Sequence, residues 1–62
     1  MLQTNKLKGV RAEKGLTQGD MAKLLDISHL TYHLKENGKR IFSLVEAQKI
    51  SGILDKPLDY FF

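Results

Sequence analysis

The chain has 62 residues, a formal net charge of +3 and no cysteine, which excludes a disulfide framework and thiolate chemistry. No apolar run approaches ~18 residues, so no segment is expected to span a membrane. The N-terminal MLQTNKLK lacks the apolar core of a signal peptide, and a cytoplasmic protein is expected. At this length the chain is expected to form one domain, residues 1–62, near the lower limit for folding without disulfides or metal. Its charge is unevenly placed. Residues 1–40 hold eight Lys/Arg against four Asp/Glu, whereas residues 41–62 hold two against three. A net charge of +3 alone reads as a solvated surface; a basic front half suits a polyanionic partner.

In chain order, Met1 to Thr4 is a short extended lead-in. A helix is expected from Asn5, a capping type, to Lys14, with Leu7, Val10 and Arg11 sharing a face. Gly9 inside it costs ~1 kcal/mol relative to Ala. Gly15 supplies its C-terminal stop. Arg11 points to the inward side, and a buried guanidinium needs a carboxylate.

Thr17 is a good N-cap, and Asp20 three residues on completes a capping box for a helix over Gln18–Leu25. Met21, Ala22 and Leu25 form its buried face. Asp26 falls where the chain must turn sharply, and Asp tolerates the left-handed region. Ser28 then caps a helix of about ten residues, Ser28–Asn37, which stops at Asn37-Gly38.

Ile41-Phe42 is a short apolar link. Ser43 and Glu46 form a second capping box, opening a helix whose core stripe is Leu44, Ala47, Ile50 and Leu54. Lys56-Pro57 starts a final turn, with Pro suited to a first helical position. Leu58, Phe61 and Phe62 are the last apolar residues. No repeat, low-complexity tract or strand-like alternation occurs, and the expected class is all-α.

Catalysis has little to stand on. His29 and His33 have i, i+4 metal-ligand spacing, but Leu30, Thr31 and Tyr32 intervene, so the glutamate of an H-E-x-x-H site is missing. No third ligand, Gly-rich phosphate loop or nucleophile constellation is present. Neither an enzyme nor a cofactor, metal or small-molecule substrate is expected.

Two short helices joined by a tight turn, over Thr17 to Arg40, make a helix-turn-helix, whose second helix enters the DNA major groove. From Asn5 to Phe62 the chain resembles the Xre/Cro family of phage and bacterial repressors. The resemblance is carried by Gln18 opening the first motif helix, Ala22 at its centre, Ile27-Ser28 after the turn, and the run Glu36-Asn37-Gly38-Lys39-Arg40. Ser28 through Phe42 looks most like the short Cro-type regulators of phages from Gram-positive hosts. The resemblance implies a compact five-helix, lambda-repressor-like domain and an Arg11–Glu36 structural ion pair. Three features depart from the family pattern. Asp26 replaces the usual turn glycine, Lys35 sits where a bulky apolar residue is typical, and Leu30 and Leu34 take positions where polar groove-reading residues are common.

The recognition helix has two registers. Pure hydrophobic periodicity buries Ile27, Leu30, Thr31 and Leu34 and exposes Tyr32. The family register buries Ile27, Tyr32 and the stem of Lys35, and turns His29, Leu30, His33, Leu34 and Asn37 outward. We adopt the second, because Gln18 and the Glu36–Arg40 run align without a gap. Exposed leucines then suit thymine methyl groups. Ser28, His29, Leu30, His33 and Leu34 become candidates for reading base edges or the sugar–phosphate beside them. Gln18, Asn37, Lys39 and Arg40 become candidates for phosphate contacts.

The expected function is a sequence-specific, Cro-like transcriptional repressor of phage or prophage origin bound to double-stranded operator DNA. A chain of this size has no room for an effector or cleavage domain, so control is expected through concentration and operator competition. A homodimer, formed in solution or only on DNA, would match a two-fold operator. The tail Tyr60-Phe61-Phe62 and the Ile41-Phe42 link are both candidate dimer surfaces. An antitoxin-type autoregulator of the same fold, and a protein-interaction module using the exposed face of the recognition helix, are the alternatives.

Overall fold

The computed structural model describes residues 1–62, which form five helices and no strand. They are α1 (Thr4–Glu13), α2 (Gln18–Leu25), α3 (His29–Glu36), α4 (Leu44–Leu54) and α5 (Leu58–Phe61). No helix is long and apolar enough to cross a membrane.

The helix starts follow from local chemistry in three cases. Thr17 Oγ1 accepts the Asp20 backbone N–H at 3.0 Å, while Asp20 Oδ2 accepts the Thr17 N–H at 2.9 Å. Ser43 and Glu46 form the same reciprocal box at 3.1 and 2.8 Å. Ser28 caps α3 through the Thr31 N–H at 3.1 Å. Each bond satisfies a donor that the first helical turn leaves orphaned.

Helix α1 differs from expectation. It begins at Thr4 rather than Asn5, its N-cap is Gln3, and no side chain caps it. A tertiary bond does the anchoring instead: the Gln3 backbone N–H donates to the Phe61 carbonyl at 2.6 Å. Similarly, Pro57 is the N-cap of α5 rather than its first helical residue, with extended backbone angles.

Four helices end in one way. After α1, α2, α3 and α4 a single residue adopts positive φ: Gly15 (72°), Asp26 (58°), Gly38 (77°) and Asp55 (55°). Behind each, a backbone bond reaches five residues back, such as Ile27 N–H to the Ala22 carbonyl at 3.0 Å and Lys39 N–H to Leu34 at 2.8 Å. These are Schellman closures, which satisfy the last carbonyls. The closure at Asp26 makes the tight turn between α2 and α3, and it does so without the favoured glycine.

The core is built by Leu7 and Val10 of α1, Met21, Ala22 and Leu25 of α2, Tyr32 of α3, Phe42 of the link before α4, Ile50 and Leu54 of α4, and Phe61 of α5. Phe42 is central to its aromatic part, 5.9 Å from the Tyr32 ring and 6.1 Å from Phe62 between centroids. These tilted and edge-on arrangements are the favoured ones for aromatic pairs. One expected core residue lies outside it. Leu44 is 68% exposed, because it occupies the first position after the Ser43 cap and stands off the surface. The stripe of α4 begins at Ala47.

Candidate nucleic-acid interface

Helix α3 packs against α2 and, at its C-terminal end, against α1. Its orientation follows the family register. Tyr32 and Glu36, one turn apart, are both fully buried, whereas Leu30 is 67% exposed. Ile27 is half-buried against the core, and so is Lys35, whose ammonium reaches Glu46 Oε1 at 2.6 Å. That ion pair, unforeseen in the sequence, ties the end of α3 to the start of α4. Burial raises the Glu46 pKa, but the bond from Lys35 and the Ser43 backbone N–H more than offset it and hold it below its ordinary value.

Beneath α3 lies a saturated polar cluster. Arg11 donates through Nε to Glu36 Oε2 at 2.8 Å, through Nη2 to Oε1 at 3.2 Å and through Nη1 to the Leu16 carbonyl at 2.8 Å. Tyr32 donates its hydroxyl to Oε2 at 2.8 Å, and Gln18 donates Nε2 to Oε1 at 2.9 Å. Burial pushes the Glu36 carboxyl up, yet hydrogen bonds from Arg11, Gln18 and Tyr32 bring it net below the usual glutamate range. Tyr32 is pushed upward, first by burial and then by the Glu36 bond. The Arg11 guanidinium is raised by the same pair. A buried carboxylate with four donors is fully satisfied, which is what permits a charge under the helix.

The outward residues divide into free and engaged groups. His29, Leu30 and His33 are exposed, and Leu34 sits on the shoulder of α3, half-buried rather than fully outward. Ser28 is exposed, but its hydroxyl donates to Thr31 Oγ1 at 2.7 Å while capping the helix. Gln18 spends Oε1 on His33 Nδ1 at 3.1 Å as well as one amide N–H on Glu36. The second amide N–H remains uncommitted. Asn37 is half-buried, accepting from Lys8 Nζ at 2.6 Å and donating to the His33 carbonyl at 2.8 Å. Lys39 and Arg40 are exposed and take part in no ion pair. The fold therefore gathers Gln18, His33 and Asn37 into one hydrogen-bonded chain beside the exposed stripe of α3. Sequence spacing could not show the Gln18–His33 link, or the Lys8 bond that fixes Asn37, because those partners are 15 and 29 residues apart.

A capped two-helix unit with a buried Tyr32, an exposed Leu30 and unpaired cations after α3 defines a helix-turn-helix protein. Residues 7–61 match the helix-turn-helix family, and the chain belongs to that family, of the Xre/Cro type. It is 44% identical over 59 residues to control protein C.MunI of a Mycoplasma species, spanning 94% of this chain and 80% of that protein. The protein is a DNA-binding transcriptional regulator.

Proposed function

We propose that the chain reads one operator half-site with α3 in the major groove. The observation that carries this reading is the exposure of Leu30 at 67% on the same helix whose Tyr32 is fully buried. An aliphatic side chain presented outward on the recognition helix can be covered by a thymine methyl group, the apolar feature a major groove offers. In this reading Ser28, His29, Leu30, His33 and Leu34 meet base edges or the sugar–phosphate beside them. Gln18 uses its free amide N–H on a phosphate at the start of α2. Lys39 and Arg40 grip the backbone beyond α3, and Asn37 orders that end of the helix alongside them.

The finer identity is a Cro-like repressor of phage or prophage type, acting by operator occupancy. The similarity to a protein named as a control protein supports a controlling role. One copy covers one half-site, so two copies on a two-fold operator complete the arrangement. Of the two candidate dimer surfaces, the tail is the less available, since Phe61 lies in the core. Ile41, 92% exposed, lines a groove together with Leu2, Phe42 and Phe62. A second copy seated in that groove would cover Ile41.

A gel-shift and footprint with DNA flanking the chain's own coding region test this reading. The expected result is a protected, two-fold-symmetric site whose affinity falls steeply with salt. Absence of any protected site in that DNA, with only salt-sensitive non-specific binding, would contradict it.

A further inference from the structure

The Gln18 amide joins the buried Glu36 carboxylate to the exposed His33 ring, and each polarity along that chain is forced. A carboxylate only accepts, so the Gln18 atom 2.9 Å from Glu36 Oε1 is the nitrogen. The other end of the amide is therefore its oxygen, 3.1 Å from His33 Nδ1. Two lone pairs facing one another at that distance would repel, so Nδ1 carries the proton and donates. Asn37 offers the one competing contact, with Nδ2 3.4 Å from the same nitrogen. One of its two N–H groups donates to the His33 carbonyl at 2.8 Å, and the other, at 3.4 Å, is a longer and weaker contact than the Gln18 oxygen at 3.1 Å. Asn37 cannot flip to change this, because the Lys8 ammonium, a donor only, holds its oxygen at 2.6 Å. Neutral His33 is thus left with Nδ1 as N–H and Nε2 as an unpartnered lone pair.

We infer that His33 selects an amino-bearing base, cytosine or adenine, by accepting from it through Nε2, with Gln18 as the positioning residue that sets this polarity. The inference rests on α3 lying in the major groove as proposed above. There, cytosine presents its N4 amino group and adenine its N6 amino group as donors. Guanine shows N7 and O6, and thymine shows O4 and a methyl, none of which can donate. A bare imidazole nitrogen matches the first pair and opposes the second. A phosphate, itself an acceptor, would also refuse it. Through Gln18 the buried ion pair thereby reaches the groove: the carboxylate orients the amide, and the amide orients the imidazole.

Two measurements near pH 8 test this. The first is the tautomer of His33 in the free protein, from ring nitrogen chemical shifts. The Nδ1–H form is expected, moving toward Nε2–H in Gln18→Ala. The Nε2–H form in the unmodified protein would overturn the inference. The second uses duplexes selected from a random pool. His33→Ala is expected to lose preference at one cytosine or adenine position. Replacing that base with an analogue lacking the amino group should weaken the unmodified protein about five- to ten-fold, the size of one neutral hydrogen bond, and His33→Ala not at all. If His33→Ala weakens all duplexes alike while Leu30→Ala still alters base preference, the inference falls and the α3 reading stands. If neither variant alters base preference, both fall. His33 is exposed and caps no helix, so its variant tests binding even if Gln18→Ala folds poorly.

Discussion

Tyr32 donates its hydroxyl to Glu36 one turn further along α3, at 2.8 Å, with both side chains fully buried. This bond decides which side of α3 faces the core. Hydrophobicity alone would bury Leu30 and Leu34 and leave Tyr32 outside. A tyrosine ring carries more apolar surface than a leucine, and its hydroxyl needs a partner when buried. Glu36 supplies that partner because Arg11 and Gln18 already stabilise its charge.

Breaking that cluster should be expensive. Arg11→Ala leaves Glu36 short of its bidentate partner in a buried site and should cost ~3 kcal/mol of stability. Glu36→Ala should be similarly severe. Denaturant titrations of both singles and the double variant check the pairing. Coupling near zero would mean that the two side chains act independently.

The same cluster sets two pH limits. The folded pKa of Glu36 is depressed, so its contribution is present above the ordinary glutamate value of about 4.3 and lost as pH falls through the lower folded value. The folded pKa of Tyr32 is raised, so its contribution is present below about 10 and lost as pH rises beyond that. Melting temperatures should therefore fall at both extremes. Glu36→Gln should flatten the acid limb, and Tyr32→Phe the alkaline one. Unchanged limbs in these variants would assign the titrations to other groups.

The helix ends offer the opposite kind of test, a gain. Asp26 and Asp55 hold left-handed φ of 58° and 55°, a region that costs a non-glycine residue roughly 1 kcal/mol. Asp26→Gly and Asp55→Gly should each stabilise by about that amount. Gly9 and Gly52 lie within helices with open space where a Cβ would stand. Gly9→Ala and Gly52→Ala should each add up to ~1 kcal/mol. A Cβ at Gly19 would meet only ordinary contacts with Thr17 and His29, so Gly19→Ala should also raise the melting temperature. Thermal melts read all five; a fall in a Gly→Ala variant would identify a close contact at that position, and a fall in an Asp→Gly variant an interaction that the aspartate side chain makes.

What was legible in the sequence was mostly local. The Thr17–Asp20 and Ser43–Glu46 boxes need only three-residue spacing, and the left-handed turn at Asp26 needs only its neighbours. The start of α1 was not legible, because a bond from Gln3 to Phe61, across the whole chain, takes the place of a cap. Leu44 reads as core by spacing, yet at the first turn of α4 nothing packs over it. The Lys35–Glu46 pair and the Gln18–His33 bond join different helices, and no local pattern encodes them. Lys35 did carry a signal, a charge at a position where an apolar residue is typical. A partner for its ammonium was the question that signal posed.

The cations after α3 should behave differently from its leucine. Lys39→Ala should weaken binding to all duplexes alike and reduce the salt slope by roughly one unit. A change confined to one base position would move Lys39 from the phosphates to the bases.

The central claim is that Leu30 serves the groove and Tyr32 serves the core. Its most direct test is Leu30→Ala, measured for thermal stability and for operator affinity in the same preparation, with Tyr32→Ala beside it. Leu30→Ala should stay within about 0.5 kcal/mol of the parent in stability. It should lose about 1–3 kcal/mol of operator affinity, concentrated at one base position. Tyr32→Ala should cost about 3–5 kcal/mol of stability, as for a buried aromatic. A Leu30→Ala protein destabilised by ~2–5 kcal/mol beside an unaffected Tyr32→Ala protein would contradict the claim and reverse the face of α3 that meets DNA.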